Sequence, residues 1–102
     1  MMRWALCLML ADVSAATSAE RPLRVMSINQ CTDQYALMLL PPDRITSVSW
    51  LARDPTGSLV APLAKRVASN RGTAEEVAWQ KPDLVLAGTY TTPATRALLK
   101  RL

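Results

Sequence analysis

Residues 70–88, NRGTAEEVAWQKPDLVLAG, contain the pattern that most constrains the fold of this 102-residue chain. Thr73 and Glu76 have the spacing of a capping box, which begins a helix by satisfying its first unpaired N–H groups. Pro82 must end that helix after about two turns, because proline lacks the N–H that a helix interior needs. The apolar run 84–87 (LVLA) then predicts a strand covered on both faces, as in parallel sheets.

Two further segments have the composition of strands, and they alternate with helical segments. Residues 23–28 and 45–50 contain β-branched or aromatic residues and are followed by polar or turn-forming positions. Strands that alternate with helices predict a parallel sheet with helices packed against it. The sequence therefore predicts an α/β fold, a three-layer lobe around a mostly parallel sheet of three strands.

Hydroxyl and carboxylate side chains mark the expected beginnings of the other helices. Thr32 is predicted to cap the first helix, with Asp33 beside the positive end of the helix dipole. Thr92, followed directly by a proline, is predicted to cap the last helix. Asp54 could cap another helix within residues 51–72, where the pattern is otherwise weak.

The first 19 residues are predicted to be a signal peptide, so that residues 20–102 form the mature domain. Arg3 supplies a positive start, residues 4–11 form a short apolar core, and small residues precede Ala19. We therefore expect export to the periplasm. The alternatives are a start codon assigned too early and an amphipathic N-terminal helix. A transmembrane anchor would need about 18 apolar residues, which this stretch does not have.

The composition excludes several classes of site. The chain has no histidine, which rules out Ser–His and Cys–His nucleophilic pairs and weakens a transition-metal site. Cys31 therefore suits a buried or ligand-contacting thiol better than a nucleophile. The three glycines lie far apart, so no phosphate-binding loop is present. The net charge is +4, but the basic residues are scattered, so we expect no nucleic-acid binding. We also expect no catalytic residue, no protein-bound metal and no cofactor.

A ligand would bind beyond the carboxyl ends of the predicted strands, as in other open α/β sheets. Trp50 and Tyr90 could cover a bulky ligand, and Arg53 could meet an acidic one. Alternatively, Trp50 plugs the sheet edge and Tyr90 is an ordinary loop residue. Glu75 and Glu76 are adjacent on a helix and point in different directions, so they do not form a catalytic pair. Glu76 belongs to the cap, which leaves Glu75 without a structural role.

Taken in order, these stretches resemble a known family. RVMSINQCTDQYALML, RITSVSW, NRGTAEEVAWQKPDLVLAG and TPATRALLKRL resemble the N-terminal lobe of the periplasmic substrate-binding proteins of ABC importers for iron-siderophores and vitamin B12. The resemblance covers residues 23–102 and is most specific over residues 75–87. Asp33 stands where the family usually has glutamate, and Ser69 stands where B12 binders have an aromatic residue. The connecting helix and the second lobe of the family have no counterpart in the chain.

The resemblance implies that residues 20–102 are the N-terminal half of a two-lobe periplasmic-binding fold, incomplete at the C-terminus. It implies a protein without enzymatic activity that captures an iron-siderophore or corrinoid-type chelate and delivers it to a membrane permease. The ligand itself can carry iron or cobalt. Glu75 matches the position that docks against the permease. The positions that match the ligand-facing loops are Asn29, Gln30, Cys31, Thr32, Trp50, Ser69, Asn70, Arg71 and Tyr90.

Two other interpretations stay open at this stage. A flavodoxin-like α/β enzyme or signalling domain would be favoured by a phosphate loop or an acidic metal pocket, and the sequence contains neither. The chain could also be a truncated product without function, because half of the expected cleft has no counterpart in it.

Overall fold

A computed structural model describes residues 24–102, so the predicted signal peptide and export signal lie outside the described residues. This part of the chain contains four strands, four α-helices and two 3₁₀ turns. The strands are β1 (Val25–Ser27), β2 (Ile45–Ser49), β3 (Ser69–Asn70) and β4 (Leu84–Leu86). The helices are α1 (Gln30–Leu39), α2 (Ala61–Ala64), α3 (Ala74–Gln80) and α4 (Pro93–Leu99), and the 3₁₀ turns are Pro42–Arg44 and Trp50–Arg53. No helix among residues 24–102 has both the length and the apolar character needed to cross a bilayer.

The described strands form one parallel sheet in the order β3-β2-β1-β4. The chain steps from β1 to β2 to β3 in one direction and then crosses back to β4 on the far side of β1. Connections between parallel strands are almost always right-handed, so α1 and α3 lie on opposite faces of the sheet. The predicted α/β fold, with a parallel sheet and helices in three layers, is therefore confirmed.

The apolar core lies between α1, α2 and one face of the sheet. Its buried members are Ala36, Leu37, Ile45, Val48, Ala52, Ala64 and Val67. Full burial of a valine, leucine or isoleucine side chain contributes roughly 1.5–3 kcal/mol. The opposite face is thinner, because α3 contributes one buried residue, Val77, and α4 contributes none.

α3 forms as the sequence predicts. Thr73 Oγ1 accepts a hydrogen bond from Glu76 N (3.2 Å), and the Glu76 carboxylate accepts one from Thr73 N (3.4 Å). This is the predicted capping box. The Glu76 carboxylate also accepts a hydrogen bond from Arg71 N (2.9 Å), which ties the helix to the end of β3. Lys81 ends the helix in the left-handed region (φ 50°), and Pro82 follows it.

Arg24 fastens the end of α3 to the start of β1. Its guanidinium donates to Gln80 O (2.5 Å) and to Lys81 O (3.3 Å). Helix C-termini leave carbonyl groups unpaired and favour a positive charge, so this arginine satisfies both requirements. Arg24 N also donates to the Asp83 carboxylate (3.0 Å), which fixes the turn that leads into β4.

The predicted cap of the first helix is wrong. α1 begins at Gln30 because Asn29 caps it: Asn29 Oδ1 accepts from Cys31 N (2.9 Å) and from Thr32 N (3.2 Å). Asparagine caps a helix at least as well as threonine, and here it comes first along the chain. The Thr32 hydroxyl instead pairs with Ser27 Oγ (2.7 Å) at the end of β1.

The stretch that the sequence left undefined contains two further differences. Asp54 begins a turn and not a helix, and its carboxylate accepts from Thr56 N (2.9 Å) and Thr56 Oγ1 (2.7 Å). These hydrogen bonds lower the pKa of Asp54. Ser69–Asn70 forms β3, a fourth strand beyond the three predicted. Two residues are too few to show the alternation by which strands are recognised in a sequence.

β4 is not covered on both faces as predicted. It lies at one edge of the described sheet, and Leu84 is 39% exposed. Leu86 packs against the core cluster, whereas Val85 lines a groove beside α3 and α4. The apolar run therefore indicated a strand correctly but did not indicate its position in the sheet.

Candidate functional site

The loops that follow the parallel strands meet at one edge of the sheet, as do all carboxyl ends of parallel strands. We call this edge the strand-end rim and define it as residues 29–32, 50, 69–71 and 88–90. The residues predicted to face a ligand all lie within these ranges. The hydrogen bonds and the exposure of their side chains divide them into two groups.

The point where β1 and β4 lie side by side is where open α/β sheets usually bind ligands, because the chain leaves these strands in opposite directions. Here the side chain of Asn29 lies against Gly88. A Cβ atom on Gly88 would come within 2.1 Å of Asn29 Nδ2, so any larger residue there would require the asparagine side chain to move. The crevice between the two strand ends is thus occupied by the residue that caps α1.

Asn70 is used inside the fold. It is 1% exposed, and its Nδ2 donates to Ser27 O (2.9 Å) and to Ser47 Oγ (2.8 Å). Its Oδ1 accepts from Gly72 N (2.9 Å). Asn70 therefore joins β3 to the two central strands and to the loop before α3. Both of its amide protons are used and the side chain is buried, so it is not available to a ligand.

Gln30 and Thr32 also make intramolecular hydrogen bonds. Gln30 Nε2 donates to Gly57 O (2.9 Å), which holds the turn after β2 against the start of α1. The Thr32 hydroxyl lies between Ser27 Oγ (2.7 Å) and Asn29 O (3.1 Å). These two residues, together with Asn29 and Asn70, shape the rim and do not project from it.

The other five predicted ligand residues are exposed on the rim. Trp50 is 52% exposed and Tyr90 is 95% exposed, so both aromatic rings face solvent. Cys31 is an exposed free thiol, and Ser69 and Arg71 are exposed as well. These exposed side chains comprise two aromatic rings, a guanidinium group, a thiol and a hydroxyl group.

Arg53 does not take the position expected for it. Its Nη2 donates to Val67 O (2.7 Å) and its Nε to Ala64 O (3.5 Å). The guanidinium thus satisfies backbone carbonyls at and just after the end of α2 and is not directed at a ligand. Arg71 supplies the exposed positive charge on the rim.

Asp33 is a buried carboxylate behind the rim. It lies in the first turn of α1, as predicted, but is fully buried and accepts hydrogen bonds from Ser49 N (3.0 Å) and from Ser49 Oγ. Burial raises the pKa of Asp33, and the hydrogen bonds from Ser49 partly oppose that rise. The contact ties α1 to the end of β2, directly before Trp50.

Glu75 and Trp79 lie one turn apart on the outer face of α3. Glu75 is exposed and takes no part in the capping box. Trp79 is 84% exposed, and the sequence analysis did not single it out. Its spacing of four residues from Glu75, which places the two side chains on one helix face, was the available signal. Since α3 begins just after Arg71, Glu75 lies at the rim end of the helix.

Among residues 24–102, no group of three or more Asp, Glu, Cys or His side chains could hold a metal ion. No protein-family model matches the chain, and no curated protein or solved structure is significantly similar to it. Its function must therefore be inferred from the rim and from the outer face of α3.

Proposed function

We propose that the chain is the solute-binding component of an ABC importer. It would capture an iron-siderophore or corrinoid-type chelate in the periplasm and deliver the chelate to the permease, without performing a reaction. The observation that supports this proposal best is the group of five exposed side chains at the carboxyl edge of a parallel sheet. Glu75, at the rim end of α3, offers a separate contact for the permease.

The chemistry of the exposed rim suits a large anionic chelate. Trp50 and Tyr90 offer flat apolar surfaces, and an aromatic side chain of this kind can bury roughly 150–250 Å² against a ligand. Arg71 offers a planar charge that can pair with carboxylate or similar oxygen groups. None of the five exposed ligand candidates is acidic, so an anionic ligand would meet no repulsion from them.

The ligand is expected to lie over the strand ends and not between them. Asn29 occupies the crevice between β1 and β4, so a bulky chelate would have to rest on Trp50, Arg71 and Tyr90. Ser69 supplies no third aromatic ring, so a corrinoid is not favoured over a siderophore. The described residues would cover one side of such a ligand.

Titration of the chain with a ferric hydroxamate siderophore, a ferric catecholate siderophore and cobalamin tests ligand capture. We expect at least one of them to quench tryptophan fluorescence with saturation. Trp50→Phe should abolish most of the saturable change, whereas Trp79→Phe, which alters a tryptophan away from the rim, should keep it. No saturable response to any of the three ligands, or a response that depends on Trp79 alone, would contradict the proposal.

Docking is tested separately through Glu75. We expect Glu75→Arg to abolish association with the cognate permease in surface plasmon resonance, because it replaces an exposed negative charge with a positive one. Ligand affinity should not change. Asp43→Arg makes the same change at an exposed carboxylate outside α3 and serves as the control. If both variants bind the permease as the unmodified chain does, Glu75 is not the docking residue.

The strand order gives no support to the flavodoxin-like alternative. Flavodoxin-like sheets have the order 2-1-3-4-5, in which the third strand pairs with the first. In this chain β3 pairs with β2, on the side away from β1, and β4 takes the other side of β1. The described sheet therefore differs from a flavodoxin-like sheet in the position of its third strand.

A further inference from the structure

Two side chains hold the backbone of the loop between β3 and α3, residues 70–73, which we call the Arg71 loop. Asn70 Oδ1 accepts a hydrogen bond from Gly72 N (2.9 Å). Both oxygens of the Glu76 carboxylate accept from Arg71 N (2.9 and 3.2 Å). Gly72 itself has a φ of 73°, a left-handed conformation that glycine adopts without strain. The hydrogen bonds and the glycine together fix the path of the loop.

Both of these side chains are themselves anchored. Asn70 is buried, and its Nδ2 donates to groups of the two central strands, Ser27 O and Ser47 Oγ. The Glu76 carboxylate also closes the capping box with Thr73, which fixes it at the first turn of α3. The Arg71 loop is therefore braced by the sheet on one side and by α3 on the other.

The Arg71 side chain has no partner among residues 24–102. It is exposed, and its guanidinium forms no hydrogen bond or ion pair within this part of the chain. Glu76 binds Arg71 through the backbone N–H and not through the guanidinium. The loop therefore fixes the point from which the arginine side chain extends and leaves its charge free to meet a ligand.

We propose that Glu76 is a positioning residue for Arg71. By holding the Arg71 N–H, it keeps the guanidinium at the strand-end rim before any ligand arrives. A backbone that is ordered in advance loses less entropy when the arginine pairs with a ligand, so the pairing becomes tighter. This role of Glu76 rests on the proposed capture of a chelate. It adds that the rim binds an anionic chelate in preference to an uncharged one.

The reach of the Glu76 side chain, and not its charge, is what positioning requires. A carboxylate this close to the rim repels a nearby anion, so its charge alone would weaken the binding of an anionic chelate. Glu76→Gln removes the charge and keeps an oxygen that can accept from Arg71 N. Glu76→Asp keeps the charge and shortens the side chain by one methylene group, which draws the carboxylate away from Arg71 N. The two variants therefore separate reach from charge.

Quenching of tryptophan fluorescence by two ferric complexes measures the effect on ligand binding. The probes are a ferric catecholate complex, which is an anion, and a ferric hydroxamate complex, which is uncharged. We expect Glu76→Asp to weaken binding of the catecholate complex about three- to tenfold, as loss of a hydrogen bond that orders the site would. Its affinity for the hydroxamate complex should change less than about twofold. Glu76→Gln should bind the catecholate complex at least as tightly as the unmodified chain does.

A double-mutant cycle shows whether Glu76 acts through Arg71. Arg71→Ala should weaken binding of the catecholate complex about tenfold, because it removes the positive charge that pairs with the anion. When Arg71→Ala is already present, Glu76→Asp should cause no further loss, since the side chain that Glu76 positions is gone. Asp43→Asn, at an exposed carboxylate before β2, serves as the control and should leave both affinities unchanged.

Hydrogen exchange at the Arg71 amide tests the contact with Glu76 without any ligand. We expect Glu76→Asp to speed the exchange of this amide about three- to tenfold, because the amide loses its acceptor. Glu76→Gln should leave the exchange close to that of the unmodified chain. Aspartate is favourable in the first turn of a helix, so both variants should fold, which circular dichroism checks. If Glu76→Asp does not fold, a weaker affinity of Glu76→Gln for the catecholate complex would overturn the proposal.

Three outcomes would overturn the positioning role of Glu76 and leave the proposed function in place. The first is unchanged exchange at the Arg71 amide in Glu76→Asp. The second is a loss of affinity on Glu76→Asp that is equally large when Arg71→Ala is present. The third is saturable binding of the uncharged complex but not of the anionic one. Absence of a saturable response to either complex and to cobalamin would instead contradict the proposed function, and the role of Glu76 would fall with it.

Discussion

The two faces of the sheet differ in how fully they are packed. On one face, α1 and α2 bury Ala36, Leu37, Ala64 and their neighbours in one continuous apolar cluster. On the other face, Val77 is the buried residue that α3 contributes, and α4 leaves its apolar side chains largely exposed. Within the described residues, the first face is stabilised by packing, whereas the second depends more on hydrogen bonds.

The hydrogen bonds of the thinner face show how it holds together with little apolar burial. Gln80 Oε1 accepts from Ser47 Oγ (2.7 Å), so the last residue of α3 is tied to β2. The Arg24 guanidinium holds the carbonyls at the end of the same helix. Capping and side-chain contacts of this kind contribute about 0.5–1.5 kcal/mol each, less than a buried leucine. The outer face of α3 is thus positioned while Glu75 and Trp79 stay exposed.

Truncating one leucine on each face should give the largest contrast. We expect Leu37→Ala to lower the free energy of unfolding by about 2–4 kcal/mol, because it opens a cavity in the core. Leu98→Ala removes a half-exposed side chain of α4 and should cost less than about 1 kcal/mol. Urea unfolding followed by circular dichroism measures both. Equal losses would mean that the two faces are packed to the same extent.

Asp33 provides a pH-dependent test of the tightly packed face. Its raised pKa means that the folded protein holds the carboxyl proton more tightly than the unfolded chain does. The contribution of this group to stability is therefore greatest below its ordinary pKa of 3.8 and is lost as the pH rises through the raised value.

Asp33→Asn removes the ionisable group and keeps an oxygen that can accept from Ser49 N. We expect the stability of the unmodified protein, relative to this variant, to fall as the pH rises from about 4 to about 8. Urea midpoints of both proteins across that range measure the difference. Asp54, whose pKa is lowered, is present in both proteins, so its contribution cancels. A relative stability that rises with pH would contradict the burial argument.

Substitution of the two glutamates of α3 should change the stability least, and the two changes should differ because only Glu76 belongs to the capping box. Glu76→Ala removes the capping-box carboxylate and its bond to Arg71 N, and we expect a loss of about 0.5–2 kcal/mol. Glu75→Ala should change stability by less than about 0.5 kcal/mol, because its side chain is exposed and outside the box. Thermal unfolding of both variants checks this. Equal losses of stability in the two variants would mean that Glu75 also has a structural role, as Glu76 does.

Local patterns predicted the elements whose signals lie within a few residues. The capping box at Thr73 and the Thr92-Pro93 start of α4 are of this kind, and both are confirmed. The cap of α1 was assigned incorrectly because Asn29 and Thr32 are equivalent as local signals. The fold distinguishes them, because the Thr32 hydroxyl pairs with Ser27 Oγ while Asn29 Oδ1 accepts from Cys31 N and Thr32 N.

The rim was predictable as a location but not residue by residue. Parallel topology alone brings the strand ends to one edge, so the expected positions are on it. Whether a rim side chain is available for a ligand depends on partners that are distant in the sequence. Asn70, for example, is held by Ser27 and Ser47, which lie 43 and 23 positions away. The sequence showed no pattern that links residues at such separations.

We propose above that the exposed rim captures a metal chelate. The most direct test is a titration of the isotope-labelled chain with a ferric siderophore or cobalamin, with the tryptophan indole N–H signals followed by NMR. We predict a saturable change of the Trp50 indole signal, caused by shift or broadening, while the Trp79 signal stays in place. Saturable changes at Trp79 with Trp50 unmoved, or no change at either residue with any of the chelates, would contradict the claim.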